Sequence, residues 1–425
     1  MKILVHDYSG HPFQVELSRE LSQRGHDVTH SWCEAHVSGK GHLQAKPGEA
    51  LRFSPVGVGE VIDKLSFGSR LVQELRYGVQ LARQTRRLRP DVVLVGNVPI
   101  PMLVVFATFL MVARVPWVHW QQDVQSVAVR SFAGRQLSRA FVLVAAVIAA
   151  GERWCTRRAR HTVVIADSFL DVHRRWGTEE KATVIPNWAP LDELVPTERD
   201  NRWAQEQGTA GVQTLLYSGT LGLKHNPALL VALASRVIAA GTPVQLCVVT
   251  EGPAGEVLRS EADRLGVPLR LLEFQPYERL SEVLGAGDVL LVLLEKDAGA
   301  FSVPSKTLSY LCAGRPVLGM MPGENLAAHL IDQASGCVVA PEESALDEAA
   351  EWVASVLADA DHAAKIGALS RQLAEREFAL AGCADQFERI LTRVTGRLGD
   401  LVVRPRTSGD AVRGGVVRQP DEVTV

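Results

Sequence analysis

The run Gln213-Thr214-Leu215-Leu216-Tyr217-Ser218-Gly219-Thr220-Leu221-Gly222-Leu223-Lys224-His225-Asn226-Pro227 opens as a short apolar strand, passes two glycines and closes on a helix-starting pair. Asn226 suits an N-cap and Pro227 the first helical position, an arrangement that leaves backbone N–H groups pointing at a ligand. Gly219 and Gly222 permit close backbone approach and Lys224 adds a positive charge, so the loop suits a diphosphate. A plain glycine turn with a solvent-facing lysine accounts for the same residues, and this loop alone leaves both readings open. For the fold it is decisive: a buried strand feeding a helix through a tight loop is one unit of a parallel α/β sheet.

The alternation extends in both directions. Near-continuous Val/Ile/Leu runs, expected of parallel strands buried on both faces, occur at Lys2 to His6, Asp27 to Ser31, Asp91 to Gly96, Pro116 to Trp120, Thr162 to Ala166 and Thr183 to Ile185. They restart at Gln213 to Tyr217, Val244 to Thr250, Leu269 to Phe274, Asp288 to Leu294, Pro316 to Gly319 and Cys337 to Ala340. Two α/β sheets are implied, hinged after Pro186-Asn187-Trp188-Ala189-Pro190, where prolines and a polar stretch through Asn201 stop regular structure. The expected division is 1–188 for a first domain, 189–380 for a second, 381–395 for a helix returning to the first, and 396–425 for a disordered, Gly-rich tail. Ligands of open α/β sheets bind at the carboxyl ends of the strands, so the cleft between the two sheets is the expected site.

With 425 residues, 47% hydrophobic and 22% charged, the chain falls outside the disordered and fibrous classes and has room for two or three domains. Its six cysteines are scattered without a C-x-x-C pair, which argues against a zinc site and a disulfide scaffold and fits a reducing cytosol. The first apolar stretch is too short for a secretory leader. Val92 to Ala113 is uncharged over 22 residues, but Gly96, Asn97, Pro99 and Pro101 divide it into a strand, a turn and a short buried helix. Ala140 to Gly151 is too short to cross a bilayer and long enough to lie on one. The formal net charge is −3, yet residues 64–160 hold 15 Lys and Arg against four acids. Basic residues flanking an apolar helix fit in-plane attachment to anionic lipid, and they fit a solvated face too. Nucleic acid is not expected, because no helix-turn-helix, zinc or aromatic RNA-binding pattern accompanies the charge.

A second segment, Phe301-Ser302-Val303-Pro304-Ser305-Lys306-Thr307-Leu308-Ser309-Tyr310-Leu311-Cys312-Ala313-Gly314-Arg315-Pro316-Val317, bears on the ligand. Ser305 suits an N-cap, Leu308, Leu311 and Cys312 form one apolar face, and Gly314 ends the helix before a strand. Lys306 falls in the first turn, where a cation is unfavourable unless an anion offsets it. An exposed lysine leaning away from the dipole is the alternative.

Taken in order, Tyr217-Ser218-Gly219 with Lys224, Glu251-Gly252-Pro253, and Val303-Pro304-Ser305-Lys306 through Ala313-Gly314-Arg315-Pro316-Val317 resemble the retaining family 4 glycosyltransferases of the GT-B fold. The nearest likeness is to the branch that builds exopolysaccharides such as colanic acid. Gly25-His26-Asp27-Val28-Thr29 and Val184-Ile185-Pro186-Asn187-Trp188 resemble the family's turn into the second strand and its hinge, so the likeness spans about residues 1–395. The resemblance implies two Rossmann-like domains facing a cleft, and transfer of a sugar from a nucleotide sugar on the second lobe to an acceptor on the first. It implies that Gly219, Lys224 and Lys306 meet the diphosphate, the two lysines as catalytic residues, and that the loop at Glu251-Gly252 and the strand end at Phe274-Gln275-Pro276 line the nucleotide pocket; Thr220 and Ser305 are further candidate binding residues, and Ser309 stands where the family grips the ribose. Lysine charge and backbone donors can stabilise a departing nucleoside diphosphate without a metal, so no metal or other cofactor is expected.

One departure stands out. Many members carry two glutamates eight positions apart where this chain has Phe301 and Ser309. Glu295 or Asp297 is the candidate replacement, and a solvated loop acid is the alternative for each. In the first lobe, Asp123 follows a strand and is the candidate to orient the acceptor hydroxyl or accept its proton, with helix capping as the rival role. His119 reads as a buried, satisfied histidine rather than a catalytic one. Tyr8-Ser9-Gly10-His11-Pro12 forms the loop after the first strand and lacks a G-x-G-x-x-G spacing, so dinucleotide binding is disfavoured. The expected function is hexosyl transfer to a saccharide or polyprenyl-diphosphate-linked saccharide in cell-surface polysaccharide synthesis. The expected location is the cytoplasm, with peripheral contact at the inner membrane face. The rivals are a scaffold of the same fold without turnover and a GT-B sugar-nucleotide epimerase.

Overall fold

A computed structural model describes residues 1–35, 42–57, 67–96, 98–127, 129, 139–222, 225–298, 302–378 and 380–396. All twelve apolar runs are strands, displaced by no more than two residues at either end. In the first lobe β1 (Lys2–Asp7), β2 (Asp27–Trp32), β3 (Arg52–Phe53), β4 (Val92–Gly96), β5 (Trp117–Gln121), β6 (His161–Val164) and β7 (Ala182–Val184) form one parallel sheet in the order β3-β2-β1-β4-β5-β6-β7. In the second, β8 (Thr214–Ser218), β9 (Gln245–Val249), β10 (Leu269–Leu272), β11 (Val289–Leu293), β12 (Val317–Met320) and β13 (Cys337–Val339) run β10-β9-β8-β11-β12-β13. Both sheets reverse strand order beside their first strand, which opens a crevice at the carboxyl ends of β1 and β8. The expected pair of Rossmann-like sheets is therefore what the chain builds.

Helices cover the sheets where small residues let them approach. Helix Phe67–Leu88 lies on helix Ile100–Val112 through Gly78, where a Cβ would sit 3.0 Å from the Met102 carbonyl. Helix Arg139–Arg158 meets the other side of Ile100–Val112 at Gly151, 3.1 Å from Ile100. The packed face of Phe67–Leu88 is thus Glu74, Tyr77, Gly78 and Leu81, while Leu71, Leu75 and Val79 turn outward.

The lobes share apolar packing at the hinge. Trp188 stacks on Trp120 at 5.8 Å, and Phe387 of helix Leu380–Val394 lies 4.5 Å from Trp120. Phe13 meets both indoles edge-on, at 5.6 and 6.0 Å. Arg24 bonds Asp385 at 2.6 Å and Glu388 at 2.8 Å, so the last helix is fixed to helix Pro12–Gln23 by charge as well as by area. Among the described residues no helix is long and apolar enough to cross a membrane.

Candidate active site

The crevice holds a cavity of about 540 Å³, within the usual range for small-molecule sites. Its first-lobe wall includes His11, Phe13, Gln122 and Asp123; the hinge contributes Asn187 to Pro190; the second lobe contributes Ser218 to Thr220, Phe274 and Ser302 to Lys306. Among the described residues of the lining, Asp123 is the sole carboxylate and Lys306 the sole lysine or arginine.

On the second lobe, β8 presents Tyr217 and Ser218 and then turns at Gly219, whose φ of 144° and close neighbours require glycine. A Cβ there would lie 3.0 Å from the Lys306 Cε and 3.1 Å from its Nζ. The ammonium rests over the Tyr217 ring, 3.8 Å from the centroid, and donates to the Tyr217 hydroxyl, which donates in turn to the Thr220 carbonyl at 3.0 Å. Burial without a carboxylate pulls the Lys306 pKa down to about 7. The Tyr310 hydroxyl accepts from the Ser218 N–H at 2.8 Å and donates to its carbonyl at 3.1 Å, fixing the strand end.

On the first lobe, β1 ends in Asp7, fully buried and accepting from the N–H of Ser9 at 3.0 Å, from the N–H of His11 and from His11 Nδ1 at 3.3 Å. Burial opposes charge on both partners. Their mutual attraction wins: the Asp7 pKa is lowered, and that of His11 is raised by Asp7 and, more weakly, by Asp123. With Nδ1 held by Asp7, Nε2 is the His11 nitrogen left for a ligand. The loop after β5 is held from beneath by Glu152, which accepts from Gln121 Nε2 at 2.9 Å and from the N–H groups of Gln125 at 3.0 Å and Ser126 at 2.8 Å. Asp123 stands between those anchors. Asn187 of the hinge donates to Gln122 Oε1 at 2.6 Å.

Asp123, Gly219, Thr220, Phe274, Ser305, Lys306 and Ser309 all line the cavity. Glu251 and Gly252 are exposed on the loop after β9 and are not part of the lining. Glu295 is half-buried and Asp297 exposed beyond β11, and neither contributes to the wall. Lys224 and Phe301 lie outside the described residues. Ser305 precedes helix Lys306–Cys312 without a side-chain cap bond. The helix after the first loop begins at Ala228, one residue later than expected, and Asn226 contributes a backbone carbonyl to Leu229 where a side-chain cap was expected. His119 is buried, with desolvation lowering its pKa to about 3, but it is not satisfied as expected, because its Nδ1 meets no hydrogen-bond partner among the described residues. The reading of the sequence missed Tyr217 as the lysine's platform, the Asp7–His11 pair and Glu152. Asp7 had a visible signal, an acid closing a strand before Ser-Gly-His; Glu152 and Tyr217 had none. Among the described residues no group of three or more His, Cys, Asp or Glu could hold a metal.

Residues 13–193 match the model of Glycosyltransferase Family 4. The first lobe matches glycosyltransferase family 4. Among solved structures the chain is similar to HepE of Anabaena in complex with UDP and glucose, at 17% identity and a TM-score of 0.67 over 92% of this chain and 99% of that one. It is similar to sucrose-phosphate synthase from Thermosynechococcus elongatus, at 15% identity and 0.67 over 93% and 99%. Trehalose-6-phosphate synthase OtsA gives 12% identity and 0.68 over 92% and 99%. These likenesses make the fold GT-B. No curated protein matches the sequence. The comparisons thus give a family 4 match over the first lobe and a GT-B fold over the whole chain.

Proposed function

We propose that the protein is a retaining hexosyltransferase that moves a sugar from a nucleotide sugar in the second lobe to a saccharide or lipid-linked saccharide on the first, in cell-surface polysaccharide synthesis at the cytoplasmic side of the membrane. The observation that carries this reading is the opposition of Lys306 on Gly219 to Asp123 and His11 across one cavity. Lys306 and the backbone at Gly219 and Thr220 bind the diphosphate, and their charge and dipoles offset the negative charge that builds as it leaves. Lys224 is proposed to join them, and Ser305, Phe274 and Ser309 to contact diphosphate, base and ribose. Glu251 and Gly252 border the nucleotide and reach it with closure of the lobes.

Retention follows a front-face course. The bond from the anomeric carbon to the diphosphate oxygen breaks, and the acceptor oxygen bonds that carbon on the same face. The acceptor proton passes to the departing phosphate oxygen. Asp123 orients the attacking hydroxyl, and His11, held by Asp7, donates to acceptor oxygens. No metal or cofactor takes part. The uncharged Ser309 in place of a glutamate favours a second reading, a scaffold of this fold that binds nucleotide without turnover; an epimerase is the third.

The experiment is incubation with labelled nucleotide sugars and cell-wall oligosaccharide acceptors, beginning with UDP-glucose because HepE binds it, with the product's anomeric configuration read by NMR. An α-linked product from an α-donor supports transfer with retention. A β-linked product overturns retention, free epimerised donor supports the epimerase, and binding without any product supports the scaffold.

A further inference from the structure

The hinge is anchored to a different lobe at each end, which locates the pivot. Trp188 packs among Trp120 and Phe13 of the first lobe. Three residues on, the chain is fixed to the second: Arg371 of helix Ala360–Glu377 donates to the carbonyls of Leu194 at 2.8 Å and Leu191 at 3.4 Å, and Ser281 donates to that of Glu193 at 3.1 Å. The N–H groups of Glu193 and Leu194 bond the Pro190 carbonyl at 3.1 and 2.8 Å, so the second anchor begins at Pro190. A change in the angle between the lobes is therefore absorbed, on this crossing, by the torsions from Trp188 to Pro190.

Glu16 stands against that pivot. Helix Pro12–Gln23 carries it from the first lobe, half-buried, and its carboxylate accepts from Trp188 Nε1 at 2.7 Å. Glu193 and Asp192 face it from the hinge, and its charge is felt by Tyr277 and Cys312 of the second lobe. It is not part of the cavity lining. First lobe, hinge and second lobe thus meet around one carboxyl group.

The charges around it do not balance. Arg19 on the same helix is paired with Glu49 at 2.9 Å, Arg371 with Glu375 at 2.7 Å and Lys46 with Glu193 at 3.6 Å. Among the described residues Glu16 is left with the Trp188 N–H as its donor and with acids across the pivot. Burial, reinforced by Glu193 and Asp192 and opposed by the Trp188 bond and by Arg19, lifts its pKa to about 7. A second titratable pair spans the lobes, His42 of the first with Glu278 of the second at 3.6 Å; both side chains are exposed, where such a pair contributes little.

We infer that Glu16 is a positioning residue that latches the lobe pivot: neutral, it holds the lobes together about Ala189, and charged, it drives them apart. In the parted form water replaces the second-lobe neighbours, and the carboxyl returns to the ordinary glutamate range. Closing the lobes then takes up a proton. The closed form is accordingly favoured in full below about pH 4.5, and the closed-to-open ratio falls by up to tenfold per pH unit from there to about pH 7. Because the cavity is walled by both lobes, the same proton sets how much of the protein has its site assembled.

The test is small-angle X-ray scattering of the full chain, without ligand and at fixed ionic strength, from about pH 5 to about pH 8. The wild type is expected to expand as pH rises, with the change complete near pH 7. Glu16→Gln keeps an acceptor for the Trp188 N–H and never ionises, so it is expected to hold the compact radius throughout. His42→Ala is expected to expand as the wild type does. In the wild type the Glu16 carboxyl carbon, followed by NMR, is expected to titrate near pH 7. A wild-type radius indifferent to pH overturns the inference, as does an expansion that Glu16→Gln retains or that His42→Ala abolishes. Titration of Glu16 in the ordinary glutamate range overturns it too, and this readout needs no variant to fold. None of these measurements uses a donor or turnover, so failure here leaves the proposed activity standing.

Discussion

Lys306 carries the site because its surroundings leave it cationic only conditionally. Held over Tyr217 with burial lowering its pKa to about 7, it gains most from a ligand that supplies negative charge. An anion raises that pKa, so UDP affinity is predicted to fall by up to tenfold per pH unit above about pH 7, measured by calorimetry. Lys306→Met is predicted to weaken UDP binding 10- to 100-fold at pH 7, about 1.5–3 kcal/mol for a lost bond to a charged group. The sign for stability is opposite. Between about pH 7 and the ordinary lysine pKa the unfolded chain holds a proton that the folded one has lost, so wild-type stability rises with pH across that window. Lys306→Met is therefore more stable than wild type at pH 7, and urea titrations should find the gap closing toward pH 10. His11 has the reverse linkage: its raised pKa gives stability that is full below the unfolded value and lost as pH climbs through the folded one. In Asp7→Asn the His11 titration, followed by NMR, is predicted to move down, because the charge that raises it is gone while the burial remains.

At the scale of elements, the loop after β5 is a short stretch whose geometry depends on a distant helix. Glu152 receives two bonds from it and a third from Gln121 at the end of β5, so Glu152→Gln replaces one acceptor with a donor facing N–H groups. A loss of about 1–3 kcal/mol is expected, with faster hydrogen exchange at Gln125 and Ser126 and a larger loss in kcat than in UDP affinity. The strands were legible because burial on both faces writes continuous Val/Ile/Leu runs into the chain. Arg52–Phe53 was not legible, since two residues on a sheet edge leave no run to read. In helix Phe67–Leu88 the leucine stripe turns outward, and Gly78 and Tyr77 make the contact, so apolar spacing alone would have named the wrong face. Of the site, the glycine turn at Gly219 and the lysine at Lys306 could be read from their places after a strand and before a helix. Tyr217 under the lysine could not, because alternation assigns a face and no partner. Glu152 was hidden for the related reason that a buried acid announces itself only through donors that converge on it from elsewhere in the chain, whereas Asp7, with its donors two and four residues on, left a local signal.

For the whole molecule, the last helix and the hinge tie the lobes into one cooperative unit. Phe387 sits with Trp120, Trp188 and Phe13, and Phe387→Ala is predicted to cost about 3–5 kcal/mol and to separate the unfolding of the two lobes in calorimetry. The Trp188 indole donates to Glu16 at 2.7 Å, so the hinge is also anchored by a polar bond to the first lobe. Such a frame brings the Gly219 turn of one sheet and the Asp123 loop of the other to a single cavity, and the account rests on that cavity holding a nucleoside diphosphate. The most direct test is titration calorimetry of uridine, guanosine and adenosine diphosphates into wild type and Lys306→Met at pH 7. The account predicts that at least one binds the wild type and binds the folded variant at least tenfold more weakly. Equal affinity for both proteins, or no binding of any of the three, would contradict it.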